Sequence, residues 1–449
     1  MYLESPLQLS ILILGLISLS YLSWRRLDLG VYLVIFSLPL YLLRLKIFFV
    51  PTTVLELMIY AVFLVWLLKK LIISREDDLV RGRLPGSFYI PILLLLLGCL
   101  ISTLASSDIR MSLGILKGWF IDPILLFLVI TNWIKTKEQV KNILIISIAS
   151  GIFIGLAGIF YWLFPSFEGV TYDMRLKEFY LSPNHLAMTL APILLIAYGF
   201  FLNGLAKKYS IREKIFWVFS FLIISIPLYL TYSYGAWLGI AAGIIFISFC
   251  FFQKLKNIQE GGIPECRLHN VPKIIPIVII TCLFFTAVFS SQLKAEKFQK
   301  IFDERSSFNS RIMIWQASLT ILKDHSILGI GPGNFQEYYL AYQIKFPPYL
   351  EWAVPQPHNL FLAFWLQCGL IGFIGFIWII ILFFKKGFKI LNEGENMYPR
   401  LQVKFIACIL ISQMIYILIH GLVDTPYWKN DLSVMFWVMV GLMAVLDQN

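Results

Sequence analysis

The sequence is a succession of apolar blocks close to 20 residues long, separated by short stretches that carry most of its charges. Wound as an α-helix, a block of that length spans about 30 Å, the thickness of a bilayer's hydrocarbon core. In lipid each backbone N–H and C=O must be satisfied within the segment, so an apolar block of this length can cross only as a helix. Candidate spans fall near 8–22, 28–45, 53–70, 88–104, 112–131, 141–163, 182–203, 216–233, 235–252, 273–290, 358–384, 402–421 and 431–446. The first is short and the fifth carries Lys117 and Asp122. The expected fold is therefore an all-α polytopic integral membrane protein of about 12–14 transmembrane helices. The 8–22 block is followed by further spans and by no small-residue cleavage site, so it reads as a retained helix. Composition excludes an ordinary soluble domain: 59% of the 449 residues are hydrophobic and 14% are charged, against about 25% charged in soluble proteins.

The net charge of +11 does not point to nucleic acid, because the basic residues gather in alternate connections. Arg25 and Arg26 begin the series, followed by Lys69/Lys70 with Arg75, Arg81 and Arg83, then Lys135/Lys137/Lys141. Lys207/Lys208/Arg212/Lys214, Lys254/Lys256/Arg267 and Lys385/Lys386/Lys389/Arg400/Lys404 continue it. Such alternation is the positive-inside pattern and places those loops in the cytoplasm. The one long connection, 291–357, then faces outward, between N-terminal spans in 1–290 and C-terminal spans in 358–449. Its charges nearly cancel, so they carry no topology signal. The six cysteines show neither metal-ligand spacing nor a disulfide partner, and read as small buried hydrophobes.

Within the long connection, SRIMIWQASLTIL places Ile312, Trp315, Leu319 and Leu322 at helical spacing, which predicts an amphipathic helix with those residues on its apolar face. DHSILGIGPGNF follows, with Gly329, Gly331 and Gly333 around Pro332. A nucleotide cradle needs a preceding strand and a following Lys-Ser/Thr, and Asn334-Phe335 stands there instead. The chain then enters the next span through PQPHNLFLAFWLQCGLIG, residues 355–372. A histidine at the mouth of a spanning helix either caps or anchors it, or does chemistry. Arg175 and Pro183-Asn184-His185 occupy another outward mouth, and HGLVDTPYWKND, residues 420–431, groups His420 with Asp424, Lys429 and Asp431 in a third. Charges so close to hydrocarbon are costly unless paired or facing a polar cavity. His325 beside Asp324 reads as a local ion pair, His269 as incidental, and Tyr21, Trp24 and Trp133 as interfacial aromatics.

The stretches SRIMIWQASLTILKDHSILGIGPGNFQEYY (310–339) and PHNLFLAFWLQCGLIGFIGF (357–376) resemble the O-antigen ligase and O-antigen polymerase (Wzy-type) superfamily. That family's pattern is met by Arg311, Trp315, Gly329, Gly331, Phe335, His358, Asn359, Leu362, Gly369 and Gly372; RLKEFYLSPNHLAMTLAPILL adds Arg175, Pro183, Asn184 and Ala187. One position departs: where members carry serine-arginine-glycine, this chain has Ser233, Tyr234 and Gly235. A tyrosine offers one hydroxyl and no charge, so Arg305 or Lys323 compensates or the donor differs.

The resemblance implies transfer of a glycan from an undecaprenyl-diphosphate carrier to an acceptor hydroxyl, on the outer face of the cytoplasmic (inner) membrane. It implies no cofactor or metal, a glycan, lipid or protein acceptor, and a flippase that delivers the donor. On this reading His358 is the catalytic base, oriented by Asn359 or a loop carboxylate. Arg311 is catalytic and, with Arg175 and Arg305, binds the donor diphosphate, because guanidinium forks match phosphate oxygens. Trp315, Gly329, Gly331, Pro332 and Asn184 support the site. A polymerase joining lipid-linked repeats and a protein O-glycosylating ligase need the same electrostatics and stay open beside the ligase. A transporter is the rival from another class, disfavoured by the absence of internal repeats and of mid-membrane polar sites. A scaffolding membrane protein, for which His358 would be dispensable, is the remaining alternative.

Overall fold

In a computed structural model of the chain, the described residues are 3–47, 50–73, 86–206, 210–260, 290–291, 307–348, 351, 353–393 and 398–447. The helices are α1 (Pro6–Arg25), α2 (Leu27–Phe36), α3 (Val54–Ile73), α4 (Gly86–Leu104), α5 (Ile109–Trp133), α6 (Lys137–Leu163), α7 (Pro183–Ala206), α8 (Ile211–Leu230), α9 (Tyr234–Glu260), α10 (Ser307–Asp324), α11 (Phe335–Tyr342), α12 (Leu360–Asn392), α13 (Tyr398–His420) and α14 (Asn430–Leu446). Among the described residues, nine helices are long and apolar enough to cross a membrane. The protein is an all-α, multi-pass membrane protein, as its blocks predict. The expected span 273–290 lies outside the described residues apart from Ser290, and Arg305 and His269 lie outside them altogether.

The expected span 28–45 does not form as one helix. α2 ends at Phe36, a 3₁₀ turn covers Leu38–Leu42, and strand β1 (Arg44–Ile47) pairs antiparallel with β2 (Val50–Thr53). Pro39 has no N–H to continue the ladder of α2, and it stands instead in the first turn of the 3₁₀ segment, where that N–H would go unused. The ten residues of α2 measure about 15 Å, half a bilayer core.

The chain divides into two compact units, with the boundary inside α6. The first holds residues 1–146, 307–393 and 421–449; the second holds 147–306 and 394–420. In the first, α4 packs along α12, α14 along α5, and α10 with α11 against the start of α12. The α4–α12 crossing is backbone on backbone: a β-carbon at Gly98 would lie 2.1 Å from the Gly372 nitrogen, and one at Gly375 2.5 Å from the Leu95 nitrogen. Membrane helices associate through such small-residue contacts because water supplies no hydrophobic drive between them. Lys117 of α5 forms an ion pair with Glu56 of α3, whose carboxylate also accepts from Thr52 Oγ1 and Asn430 Nδ2, both at 2.8 Å. An intramembrane charge is thus paired and hydrogen-bonded, the condition for tolerating one there.

The amphipathic helix of the long connection is α10, but its buried face is rotated from the predicted one. Met313, Ile314, Ala317, Ile321 and Leu322 are buried with Ile330, Phe335 and Tyr339, whereas Leu319 is exposed. The helix packs on α11 and α12 through the 313/314/317/321 ridge, and Ile312 and Trp315 sit at its edge. In the second unit, α7 packs on α8, α9 and α13, and α9 on α13.

Candidate functional site

α12 begins at Leu360 because Asn359 caps it: the Asn359 side chain accepts the Leu362 N–H at 3.0 Å, the role for which asparagine is among the best residues. His358 stands just before the cap with left-handed backbone, φ +47. That conformation is uncommon for a residue with a β-carbon. Two contacts hold it. Its carbonyl accepts the indole N–H of Trp315 at 3.2 Å, and its Nδ1 lies 3.2 Å from Asp424 Oδ1.

The second contact depends on how the turn after Gly421 is fastened. Its first three carbonyls are taken in order: Gly421 by the Leu360 N–H at 2.7 Å, Leu422 by Asn359 Nδ2 at 3.0 Å, and Val423 by Arg311 Nε at 2.8 Å. The fourth residue is Asp424, whose carboxylate also accepts its neighbour Thr425's N–H at 2.9 Å. Arg311 and Trp315 are four apart on α10, hence on one face of it; the first fastens the turn and the second the histidine. Four of the predicted residues, His358, Asn359, Arg311 and Trp315, therefore meet in one cluster of the first unit.

The chemistry of the cluster follows from donor and acceptor counting. A carboxylate only accepts, so the contact with Asp424 puts the imidazole proton on Nδ1 and leaves Nε2 with its lone pair. Asp424 is buried, with 4% of its side chain exposed, while 31% of the His358 side chain is open. Among the described residues Nε2 has no hydrogen-bond partner. Arg311 spends Nε on Val423 and approaches the Ser307 carbonyl with Nη1 at 3.4 Å. A base with a fixed tautomer and a guanidinium thus share one turn.

The glycine-rich segment shapes its loop rather than presenting a cradle. Gly329, Gly331 and Gly333 have φ of +74, +83 and +91, values that favour glycine. Gly331 donates to Ser102 Oγ at 2.9 Å, Ser112 Oγ donates to the Pro332 carbonyl at 2.9 Å, and Gly333 donates to Gln367 Oε1 at 2.8 Å. α12 breaks at Gly369, φ +66, and the loop fills the break: Ile330 donates to the Leu366 carbonyl, while Leu370 donates to the Ile327 carbonyl.

The second unit holds the other predicted residues. Arg175 donates Nε to the Thr231 carbonyl and Nη2 to Asn184 Oδ1, both at 2.8 Å, and lies within electrostatic reach of Tyr234. The tyrosine at the family's arginine position is thus near a guanidinium from elsewhere in the unit. His185 is buried against the Tyr180 ring. His420 is also buried, its Nδ1 2.7 Å from the Tyr416 hydroxyl. Close to Arg175 in the chain, Glu178 is buried with left-handed backbone, φ +54, and neither carboxyl oxygen has a hydrogen-bond partner among the described residues. Burial pushes its pKa well above the usual carboxylate range. His325 packs edge-on against Tyr338, and Asp324 accepts from the Tyr342 hydroxyl at 2.7 Å.

Sequence reading missed the pairing of Asp424 with His358. It placed Asp424 beside His420 because they are close in the chain, and no spacing signal joins residues 66 apart. The available hint was a carboxylate in a turn assigned to the same side as His358.

Residues 219–377 match the family model Wzy_C, O-antigen ligase, which bears out the resemblance to the O-antigen ligase and polymerase superfamily. The matched stretch contains Arg311, Trp315, the glycine-rich loop, His358 and Asn359; Arg175, Asn184 and Asp424 lie outside it. No curated protein sequence matches the chain.

Proposed function

We propose that this membrane protein of the O-antigen ligase and polymerase superfamily transfers a glycan from an undecaprenyl-diphosphate carrier to an acceptor hydroxyl at the outer face of the cytoplasmic membrane. The observation that carries the reading is the His358–Asp424 pair, with Nε2 as the lone-pair nitrogen at the mouth of α12.

His358 Nε2 takes the proton of the acceptor hydroxyl as its oxygen attacks the anomeric carbon. The bond from that carbon to the diphosphate oxygen breaks, and the polyprenyl diphosphate leaves with the electron pair. Asp424 stabilises the imidazolium that forms, through the Nδ1–H contact. Arg311 absorbs charge developing on the leaving diphosphate, the term on which transfer from such a leaving group most depends. Arg175 is the candidate diphosphate ligand of the second unit. No nucleotide or metal takes part on this reading. A flippase supplies the donor, since a site at the outer face cannot draw on a cytoplasmic pool.

The test is His358→Ala in the native host, with variant and wild-type protein matched in membrane level and the surface glycans resolved on a gel. Loss of long glycan from the acceptor, with lipid-linked chains accumulating, is the result expected of a ligase. Single repeats left on the acceptor would make the chain a polymerase with the same chemistry. Unchanged glycan would remove His358 from the reaction and bring the transporter reading forward.

A further inference from the structure

Cys99 of α4 and Cys368 of α12 lie with their sulfurs 2.9 Å apart, both fully buried, at the crossing of these two helices in the first unit. The crossing is set by neighbours: Gly98 meets Gly372 backbone to backbone, which brings the adjoining Cys99 and the nearby Cys368 close together. Two thiol sulfurs at this separation are inside ordinary contact distance, and a shift of under 1 Å brings them to the bond length of about 2.0 Å. The sequence gives no spacing that would pair residues 269 apart, which is why none of the cysteines showed a partner.

We propose that Cys99 and Cys368 are joined by a disulfide in the mature protein. The oxidant is a disulfide, either a small one or that of a thiol-oxidising protein. The Cys368 thiolate attacks one of its sulfurs and expels a thiolate, giving a mixed disulfide. Cys99 then attacks the Cys368 sulfur, forms the intramolecular bond and expels the second thiolate. The two cysteine sulfurs are oxidised, the incoming disulfide is reduced to two thiols, and the two cysteine protons end on those thiols. Since both sulfurs are fully buried, exchange precedes the final closure of α4 on α12. The supply of oxidant rests on the outward orientation proposed above, because disulfides persist in oxidising compartments; the geometry does not.

The position gives the bond a task. Cys368 immediately precedes the break at Gly369, where the glycine-rich loop docks through Ile330 and Leu370. α4 holds the same loop through Ser102, one turn beyond Cys99. The cross-link ties together the two helices between which the loop is seated, and a link closing so long a stretch of chain restricts the unfolded ensemble strongly.

The experiment uses a chain in which Cys250, Cys266, Cys282 and Cys408 are alanine, so that only this pair is read. Membranes are dissolved in denaturant with N-ethylmaleimide, then reduced and treated with a polyethylene-glycol maleimide heavy enough to shift the band. The expected result is a shift by two adducts that appears only after reduction, and none when Cys99→Ser is added. Wild-type protein digested without reductant should yield the linked peptide pair by mass spectrometry. Two thiols blocked in the first step, with no later shift and no linked peptide, would overturn the disulfide. Surface glycan from the same cells separates the two proposals: normal glycan without the link sinks the disulfide alone.

Discussion

Arg311 donates its Nε–H to the Val423 carbonyl at 2.8 Å, one residue before the aspartate that orients His358. The side chain proposed to meet the diphosphate therefore also fastens the turn that carries the base's partner. A lysine keeps the charge but gathers its donors on one nitrogen, whereas the guanidinium fork holds the turn through Nε and leaves its Nη edge to turn toward a phosphate. Arg311→Lys is expected to lower transfer from a purified lipid-linked donor by roughly 100-fold, the order seen when a charge-stabilising donor is lost. A lysine variant with near wild-type rate would reduce Arg311 to a plain positive charge.

Asp424→Asn tests the tautomer. An asparagine can present its amide N–H₂ to Nδ1, which then accepts, and the imidazole proton moves to Nε2, where the lone pair is needed. The expected fall in turnover is roughly 10²–10⁴-fold, with protein level unchanged because the shape is conserved. Combined with His358→Ala, the loss should be no greater than with His358→Ala alone, since the two act as one unit. Additive losses in the same transfer assay would separate Asp424 from the histidine.

Trp315→Phe keeps an aromatic ring at the edge of α10 and removes one hydrogen bond, that to the His358 carbonyl. Such a bond contributes about 1 kcal/mol, and it holds the carbonyl of a residue with left-handed backbone. A loss of that size appearing in the transition state alone is about fivefold in rate. The expectation is a lower kcat with KM for the acceptor little changed. A raised KM with kcat intact would instead make the indole a sugar-binding surface.

Much of the architecture was legible in apolar block length, because a membrane helix must satisfy its backbone internally and reach across a fixed thickness. The exception at 28–45 was also legible in retrospect: Pro39 sits where the ladder stops. His358, Arg311, Asn359 and Trp315 were found because they stand at helix mouths or in one short motif. Asp424 was placed with the wrong histidine, and Cys99 with Cys368 was not seen, because both pairings are made by packing between distant segments. Leu319 was assigned to the buried face by spacing alone, which defines a stripe but not which of two adjacent stripes the neighbours α11 and α12 will cover. Tyr234 was marked as a departure, and its nearness to Arg175 could be known only from the folded second unit.

Glu178 makes the stability of the second unit depend on pH. Its carboxyl is buried without a hydrogen-bond partner among the described residues, and Gly158 is what makes room: a β-carbon there would lie 2.2 Å from Glu178 Oε1 and 2.7 Å from Pro227 Cβ. Burial raises the folded-state pKa well above the ordinary carboxylate value of about 4.3. Below that ordinary value the group is protonated whether the chain is folded or not, and the full stability is present. As pH rises from there through the raised folded pKa, the unfolded chain ionises first and stability is lost. Glu178→Gln mimics the protonated form at every pH. The variant should match wild type in acid and exceed it at neutral and alkaline pH, by of the order of 2 °C or more in Tm. Gly158→Ala should lower Tm across the whole range, since the clash with Glu178 and Pro227 does not titrate. Thermal unfolding of the purified protein in detergent, stepped from acid to alkaline buffers, reads both. Parallel curves for wild type and Glu178→Gln would mean that the carboxyl finds solvent or a cation, and that the buried acid does not govern this unit's stability.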